Sequence, residues 1–341
     1  MGILDWFINR PAQFDPDQPS DELIQRAIDK AIQLANPRFR IVRDSRARLK
    51  PAVIKTIDYL RASVLALPSP IEISTERWSD TPSLRAFFAS NRDVQASVGR
   101  SKNLQTLFEK YPEIDSAFFV LGMACEEQTV FGMAMRGEVV QREVAQTVLV
   151  FSDHQARICG LNEDEVRRLI AVQAFEYLVA EVLAQAGMER TERRELEETR
   201  SLLRARLRLL EQQGPGLGTI LSPAAGASAE RSRLEAELLE NERQLDQCVP
   251  ADELLESEFD RLCAVLSAPQ DYLEFAARRQ RVDPMNIVLD GADVGNGAEI
   301  AYSLVRGSGI KGGQRAFVLG RYARSGLKEG GLDFAQAAKL L

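Results

Sequence analysis

The feature that most constrains this chain is a long run of charged residues and leucines without an internal glycine or proline. Residues 189–213 contain 13 charged residues out of 25 and are otherwise rich in strong helix formers. Leu196, Leu203 and Leu210 recur every seventh residue, and Leu207 occupies the alternate position of the same heptad pattern. The run therefore predicts a solvent-exposed helix with one apolar seam.

A second charged helix is expected after a segment rich in glycine and proline. Residues 214–228 read GPGLGTILSPAAGAS, which is typical of a flexible loop. Beyond it, Leu234, Leu238 and Leu245 are spaced by four and seven residues. Two such helices joined by a loop predict an antiparallel coiled-coil hairpin over residues 188–248. The candidate partner-binding residues are Leu196, Leu203, Leu207, Leu210, Leu234, Leu238 and Leu245.

The rest of the chain divides into helical and β-rich parts, so the predicted fold class is α+β. Residues 1–19 predict a short amphipathic helix and a linker, and this helix docks either on protein or on a membrane surface. The other expected units are a helical N-terminal bundle over 20–112, a β-meander packed against a long helix over 113–187, and a helix with a small glycine-rich β-unit over 249–341.

Local signals place the ends of the long helix in the third unit. Asn162 can cap its start, with Glu165 three residues later, and Gly187 is expected to end it. Immediately before this helix, the string FSDHQ at residues 151–155 is expected to form a hairpin turn between two strands. After Arg281, three strand-like runs separated by glycine-rich turns predict the final β-unit, which can pair with the earlier meander.

Charge alternates in blocks along the chain, although the net charge is only −7. Residues 36–61 hold eight basic and two acidic residues, whereas residues 250–277 hold seven acidic residues and only Arg261 as a base. Opposed blocks can neutralise each other within the protein, and this is the interpretation we favour. The alternative is nucleic-acid binding by the basic block. Its candidate residues are Arg38, Arg40, Arg43, Arg46 and Arg48.

The sequence does not contain the patterns of a catalytic triad, a phosphate-binding loop or a cysteine zinc site. His154 is the single histidine, and its neighbours Ser152 and Asp153 are too close in sequence to converge on it as a catalytic triad. The string GSGIKGG at 307–313 lacks the spacing of a phosphate-binding loop. The four cysteines have neither zinc-site spacing nor the density of a secreted scaffold, which favours free thiols in the cytoplasm.

The string NIVLDGADVGNGAE at residues 286–299 resembles the first strand and acidic turn of the PIN/NYN-type metal-dependent nucleases. The resemblance covers fewer than 15 residues and implies that Asp290 binds a divalent ion. A nuclease domain of that type needs further strand–helix units with more carboxylates, and few acids follow. Asp290 and Asp293 therefore stay as the candidates for a metal site, while aspartate and glycine are also ordinary turn formers.

The sequence thus favours a non-enzymatic interaction or scaffold protein that uses the coiled-coil hairpin to bind a protein partner or a second copy. We expect no cofactor and a cytoplasmic location. We also expect no transmembrane segment, because the longest apolar run, AFFVLGMAC, is about half the length of a membrane-spanning helix. The alternatives are a metal-dependent enzyme with a carboxylate site around Asp290 and Asp293, and nucleic-acid binding through residues 36–61.

Overall fold

The computed structural model describes residues 20–136, 139–212, 224–248, 253–289, 297–307 and 314–327. The amphipathic helix expected in residues 1–19 lies outside these ranges. Helices and one antiparallel sheet make up the fold, so the α+β prediction is confirmed. The chain divides into two compact units, and each draws on separate segments of the sequence. One unit holds Met1–Ser20, Ile54–Tyr177 and Ala268–Leu341, and the other holds Asp21–Val53 and Leu178–Ser267.

The regular elements are as follows. The α-helices of the described residues are α1 (Asp21–Ala35), α2 (Ser45–Leu65), α3 (Pro82–Phe87), α4 (Asn91–Val94), α5 (Lys102–Lys110), α6 (Glu163–Gln212), α7 (Ala224–Gln247) and α8 (Leu254–Ser267). The strands are β1 (Ile71–Glu72), β2 (Ser116–Arg136), β3 (Val139–Gly160), β4 (Leu273–Val282), β5 (Ala298–Gly307) and β6 (Gln314–Ala323). A short 3₁₀-helix, Pro37–Ile41, connects α1 to α2.

The sheet of the first unit has the strand order β3-β2-β6-β5-β4, and β1 adds to β6 in parallel. One face buries a large aromatic core that includes Phe87, Phe88, Phe119 and Tyr302. The other face buries a smaller cluster with Val166, Ile170 and Phe317. Successive residues of β2 and β6 alternate between these two clusters, as the two-residue period of a strand requires.

One long hairpin takes the place of the several short strands expected in a meander. β2 and β3 pair from Phe118–Gly160 to Arg136–Val139, with three register shifts along the way. The segment FSDHQ lies inside β3, so the expected turn at residues 151–155 is wrong. Asp153 has a φ of 51° and lies at the shift between Gly122 and Ala124. A bulge of this kind inserts an extra residue without ending the strand.

Helix α6 is continuous for 50 residues, so the expected end at Gly187 is wrong. Its start follows the prediction: the Glu165 amide donates to Asn162 Oδ1 at 2.8 Å, and the Glu165 carboxylate accepts from the Leu161 amide at 2.7 Å. A glycine inside a helix costs only about 1 kcal/mol relative to alanine. The strong helix formers after Gly187 outweigh that cost, and the helix continues.

By length and composition, α6 also contains a window apolar enough to cross a membrane. Nearly half of that window is buried in the protein. The buried side chains include Val166, Ile170, Leu178 and Val182. Their burial gives this apolar stretch a role in the protein core.

One of the three strands expected after Arg281 lies earlier in the chain than predicted. β5 and β6 match two of the expected runs, and β6 pairs with β2, as predicted for the earlier β-rich segment. The third strand of this group is β4, which ends at Val282, and the residues after it form only the isolated bridges of Ile287 and Val288. Asp283 accepts from the amides of Met285 and Ile287, so its carboxylate stabilises a turn at that point.

The second unit is helical and buries its own core. α1 and the start of α2 run antiparallel, because Arg46 pairs with Asp29 and Lys50 pairs with Asp21. Phe39, in the 3₁₀-helix, packs edge-on against Phe259 of α8 with ring centroids 5.4 Å apart. The buried side chains of this unit include Ile24, Ile28, Ile32, Leu49, Val53, Leu178, Val179, Val182, Leu262 and Leu266.

Candidate functional site

Within the second unit, residues 191–212 of α6 and helix α7 form a two-helix segment that we call the helical arm. Arg204 of α6 pairs with Glu242 of α7 at 2.7 Å, and Arg190 pairs with Glu258 of α8. The earlier residue of α6, Arg190, contacts the later acidic residue, and the later residue, Arg204, contacts the earlier one. The two helices of the arm are therefore antiparallel. Helix α7 begins at Ala224, inside the expected loop 214–228, and residues 213–223 lie outside the described part of the chain.

All seven predicted partner-binding leucines of the arm have low exposure. Among the described side chains of the arm, the buried ones are Leu203, Leu234 and Asn241. The other five predicted leucines are half-buried, namely Leu196, Leu207, Leu210, Leu238 and Leu245. The leucines follow one another at intervals of three, four and seven residues, which place them on one face of each helix. We call this low-exposure face of each helix the seam.

Asn241 is a residue of this seam that the search for leucines missed. It is 5% exposed, and its Oδ1 atom has no hydrogen-bond partner within the described structure. Its position was readable from the sequence, because it lies three residues after Leu238 and four before Leu245. A buried polar group without a partner destabilises its surroundings by about 1–3 kcal/mol.

The outer faces of the arm carry a second set of leucines, which the sequence analysis did not single out. Leu202, Leu209 and Leu239 are 67%, 58% and 70% exposed. Leu202 and Leu209 are seven residues apart, so they lie on one line along α6. The seven-residue spacing of Leu202 and Leu209 is visible in the sequence. Each directly precedes a seam leucine, so the two sets were not distinguished.

The basic block of residues 36–61 separates into two parts in the structure. Arg48 forms ion pairs with Glu256 and Asp260 of α8, and its guanidinium lies 4.7 Å from the centre of the Phe259 ring. Arg46 pairs with Asp29. The contacts of Arg48 join the basic block to the acidic block of residues 250–277, whereas Arg46 is neutralised by α1. These ion pairs are the internal neutralisation that the charge pattern favoured.

The remaining candidate arginines lie on or just after the 3₁₀-helix and face solvent. Arg38 and Arg40 are exposed and make no side-chain ion pair within the described residues. The Arg43 side chain is 96% exposed and has only a 3.6 Å contact with Asp44. Ile41, between them, is 78% exposed. The buried Phe39 anchors this turn on the protein, and these four side chains around it are exposed.

The described residues do not assemble a metal site, and two of the described cysteines are unreactive. They contain no cluster of three or more His, Cys, Asp or Glu side chains that could hold an ion. The metal candidates Asp290 and Asp293 lie outside the described residues. Burial raises the pKa of Cys159 to about 12 and of Cys263 to about 11, so both are protonated thiols at neutral pH.

His154 is held in the first unit by contacts that stabilise the fold. Its ring stacks on Phe88 with centroids 4.6 Å apart, and Nε2 lies 2.7 Å from the Phe87 carbonyl oxygen. Burial lowers the pKa of His154, while the hydrogen bond to Phe87 and the charges of Asp93 and Asp153 oppose that shift. Arg315 pairs with Asp153 at 2.7 Å, so this carboxylate is engaged elsewhere.

A small cavity lies on the sheet in the first unit. Its volume is about 110 Å³, and its polar lining comes from Ser69, Ser83, Ser303 and Glu299. Pockets that bind cofactors or drug-sized ligands have volumes of roughly 300–1,000 Å³. This cavity therefore has room for a few water molecules rather than for a substrate.

Comparisons with protein-family models, with curated proteins and with solved structures found no match to this chain.

Proposed function

We propose that this chain is a non-enzymatic interaction protein that binds a protein partner through the helical arm, whose two helices pack as an antiparallel coiled coil. The observation that carries the proposal is the exposure of Leu202, Leu209 and Leu239 on the outside of the arm. Single exposed leucines are ordinary, but two at heptad spacing on a helix whose inner seam is already occupied form an apolar line that water solvates poorly.

The seam supports the coiled-coil part of this proposal. It consists of the seven predicted leucines together with the half-buried Arg200 of α6 and the buried Asn241 of α7. The Arg204–Glu242 pair flanks this seam, as charged residues beside a coiled-coil core do. The seven predicted leucines therefore hold the arm together, and the outer leucines are the groups available to a partner.

The first experiment places a photo-crosslinking amino acid at position 202 of the full chain in its own cells. Arg208 is also exposed on α6 but lies six residues from Leu202, on a different face of the helix, and serves as the matched control position. We expect a discrete cross-linked product from position 202 and little from position 208. Equal labelling from both positions, or none from either, would contradict the proposal.

The second experiment tests the same surface without a cross-linker. Leu202→Glu with Leu209→Glu should abolish the discrete complex, because charge on a buried contact is costly to desolvate. Ser201→Glu with Arg208→Gln changes the net charge by the same amount at two exposed positions on a different face of α6 and should leave the complex intact. Retained helicity in circular dichroism confirms that each variant is folded.

The exposed turn around Arg40 favours a second candidate function, the binding of nucleic-acid phosphates. Arg38, Arg40 and Arg43 supply charge that α8 does not neutralise within the described structure. Affinity for a labelled duplex should then fall steeply with salt and should drop in Arg38→Glu with Arg40→Glu. Arg46→Glu serves as the control, because that side chain already pairs with Asp29. Affinity that is insensitive to salt would exclude this candidate.

A further inference from the structure

Seven exposed residues form a continuous stripe along the outside of α6, and we call it the outer stripe. They follow one another at alternating intervals of four and three residues, so they share one face of the helix. The outer stripe consists of Met188, Glu192, Glu195, Thr199, Leu202, Arg206 and Leu209, all exposed. At 1.5 Å per residue it is about 32 Å long. Its apolar members are Met188, at 66% exposed, and the two outer leucines already described.

The charges of the outer stripe are unsatisfied within the described structure. Glu192, Glu195 and Arg206 have no ion-pair partner there. Their immediate neighbours on α6 are paired: Arg193 with Glu197, Arg194 with Glu198, and Arg204 with Glu242. The stripe thus combines three exposed apolar side chains with charges that have opposite signs in its two halves.

The order of these residues is self-complementary about Thr199. When a second helix is turned end for end, Met188 lies opposite Leu209 and Glu192 lies opposite Arg206. Glu195 then lies opposite the Leu202 side chain and within one helical turn of Arg206, and Thr199 meets its own copy. A two-fold axis requires that each contact occur twice, once in each direction. The stripe meets that requirement at its two outer positions on each side of the axis, with the apolar pair Met188–Leu209 and the ion pair Glu192–Arg206.

From this pattern, the geometry points to a second copy of this chain as the partner of the arm, docked antiparallel along the outer stripe with the two-fold axis at Thr199. The inference rests on the proposed function and names the partner. An unrelated protein would not require the stripe to complement itself, whereas a symmetric dimer does. Each copy contributes three apolar side chains, two carboxylates and one guanidinium, so the interface is small and the dimer dissociates on dilution.

The test is a charge exchange across the axis, measured by sedimentation of the full chain over a wide dilution series. In a dimer of the Glu192→Arg variant, the new arginine of each copy lies opposite Arg206 of the other, so two like-charged contacts form. In a dimer of the Arg206→Glu variant, the new glutamate of each copy lies opposite Glu192 of the other, with the same result. Each variant alone should weaken dimerisation about ten-fold. An equimolar mixture of the two variants makes both contacts complementary again and should restore a dimer of mixed composition. Ser201→Glu, at an exposed position on a different face of α6, should sediment as wild type.

The outcomes separate this inference from the proposed function. A wild-type chain that stays monomeric across the series overturns the inference, and so does a dimer that ignores both charge changes. A monomeric chain that still cross-links from position 202 to one defined other protein leaves the proposed function standing. If neither the dimer nor the cross-linked product forms, both the inference and the proposed function are contradicted. Recovery of the dimer in the mixture supports the inference, because a residue with only a folding role would not be rescued by a second chain.

Discussion

At the scale of single residues, His154 makes the stability of the protein depend on pH. The folded chain lowers the pKa of His154, chiefly through burial. Below about pH 6.5 the unfolded chain therefore binds a proton that the folded chain does not. Stability from this residue is fully present above that pH and is lost as the pH falls through the lowered pKa. The chain has one histidine, so no other imidazole masks the effect.

His154→Gln is expected to flatten this dependence. The glutamine amide can still donate a hydrogen bond to the Phe87 carbonyl, but it does not titrate. The melting temperature of the wild type should fall between about pH 7.5 and pH 5.5, and that of the variant should fall less. Equal slopes for the two proteins would show that His154 is as easily protonated in the folded chain as in the unfolded one.

Asn241 provides a second test at the residue scale. Asn241→Leu replaces a buried amide, whose oxygen has no partner within the described structure, with the apolar side chain typical of the seam. Removal of that penalty should stabilise the arm by about 1 kcal/mol, which slows amide exchange in α7 roughly five-fold. Ala236→Leu, at an exposed position of the same helix, should leave exchange unchanged. Faster exchange in the Asn241 variant would indicate a specific role for the amide.

At the scale of elements, Gly187 shows that a helix can run through a residue that ordinarily ends one. A Cβ at this position would meet no atom within 4 Å, and the residues on both sides are helical. Gly187→Ala should therefore stabilise the protein by up to about 1 kcal/mol, through the lower entropy of the unfolded chain. The midpoint of urea unfolding measures this change.

The contrasting substitution in β6 has the opposite sign. A Cβ at Gly320 would come within 2.7 Å of Ile73 and 2.8 Å of Phe119. Gly320→Ala should therefore lower the unfolding midpoint, because the packed core around it must shift. If both alanine variants changed stability in the same direction, local space would not be the cause of either effect.

At the scale of the whole molecule, the modest net charge results from blocks of opposite sign. Ion pairs within the protein neutralise part of the basic block. Arg48 of the basic block pairs with Glu256 and Asp260 of the acidic block, about 200 residues later in the chain. The Glu256 hydrogen bond is the main cause that raises the pKa of Arg48. The blocks therefore contribute to folding as well as to the surface field.

Arg48→Ala should lower the melting temperature, since it removes two ion pairs and the contact with Phe259. Arg43→Ala removes the same charge from a side chain that is almost fully exposed and should have little effect. High salt should reduce the difference between the two variants, because it screens exposed ion pairs. Equal effects of the two substitutions would mean that Arg48 acts only through the overall charge.

The sequence by itself determined the features that depend on neighbouring residues. The start of α6 follows from the spacing of Asn162 and Glu165, because a capping box closes within one helical turn. The low exposure of the seven predicted leucines agrees with their spacing, because residues at such intervals share one face of a helix. The mixed α+β class is readable for the same reason, since helical and strand periodicities differ over a few residues.

Only the tertiary structure decided the features that depend on contacts between distant segments. Pairing between β2 and β3 carries the chain through residues 151–155 as a bulge, whereas local preferences there predict a turn. Acidic side chains about 200 residues later in the chain neutralise Arg48, whereas Arg40 has no ion-pair partner among the described residues. A local pattern depends only on residues that are close in sequence. The free energy of a long-range contact depends on which distant segments meet, and a local pattern carries no information about those segments.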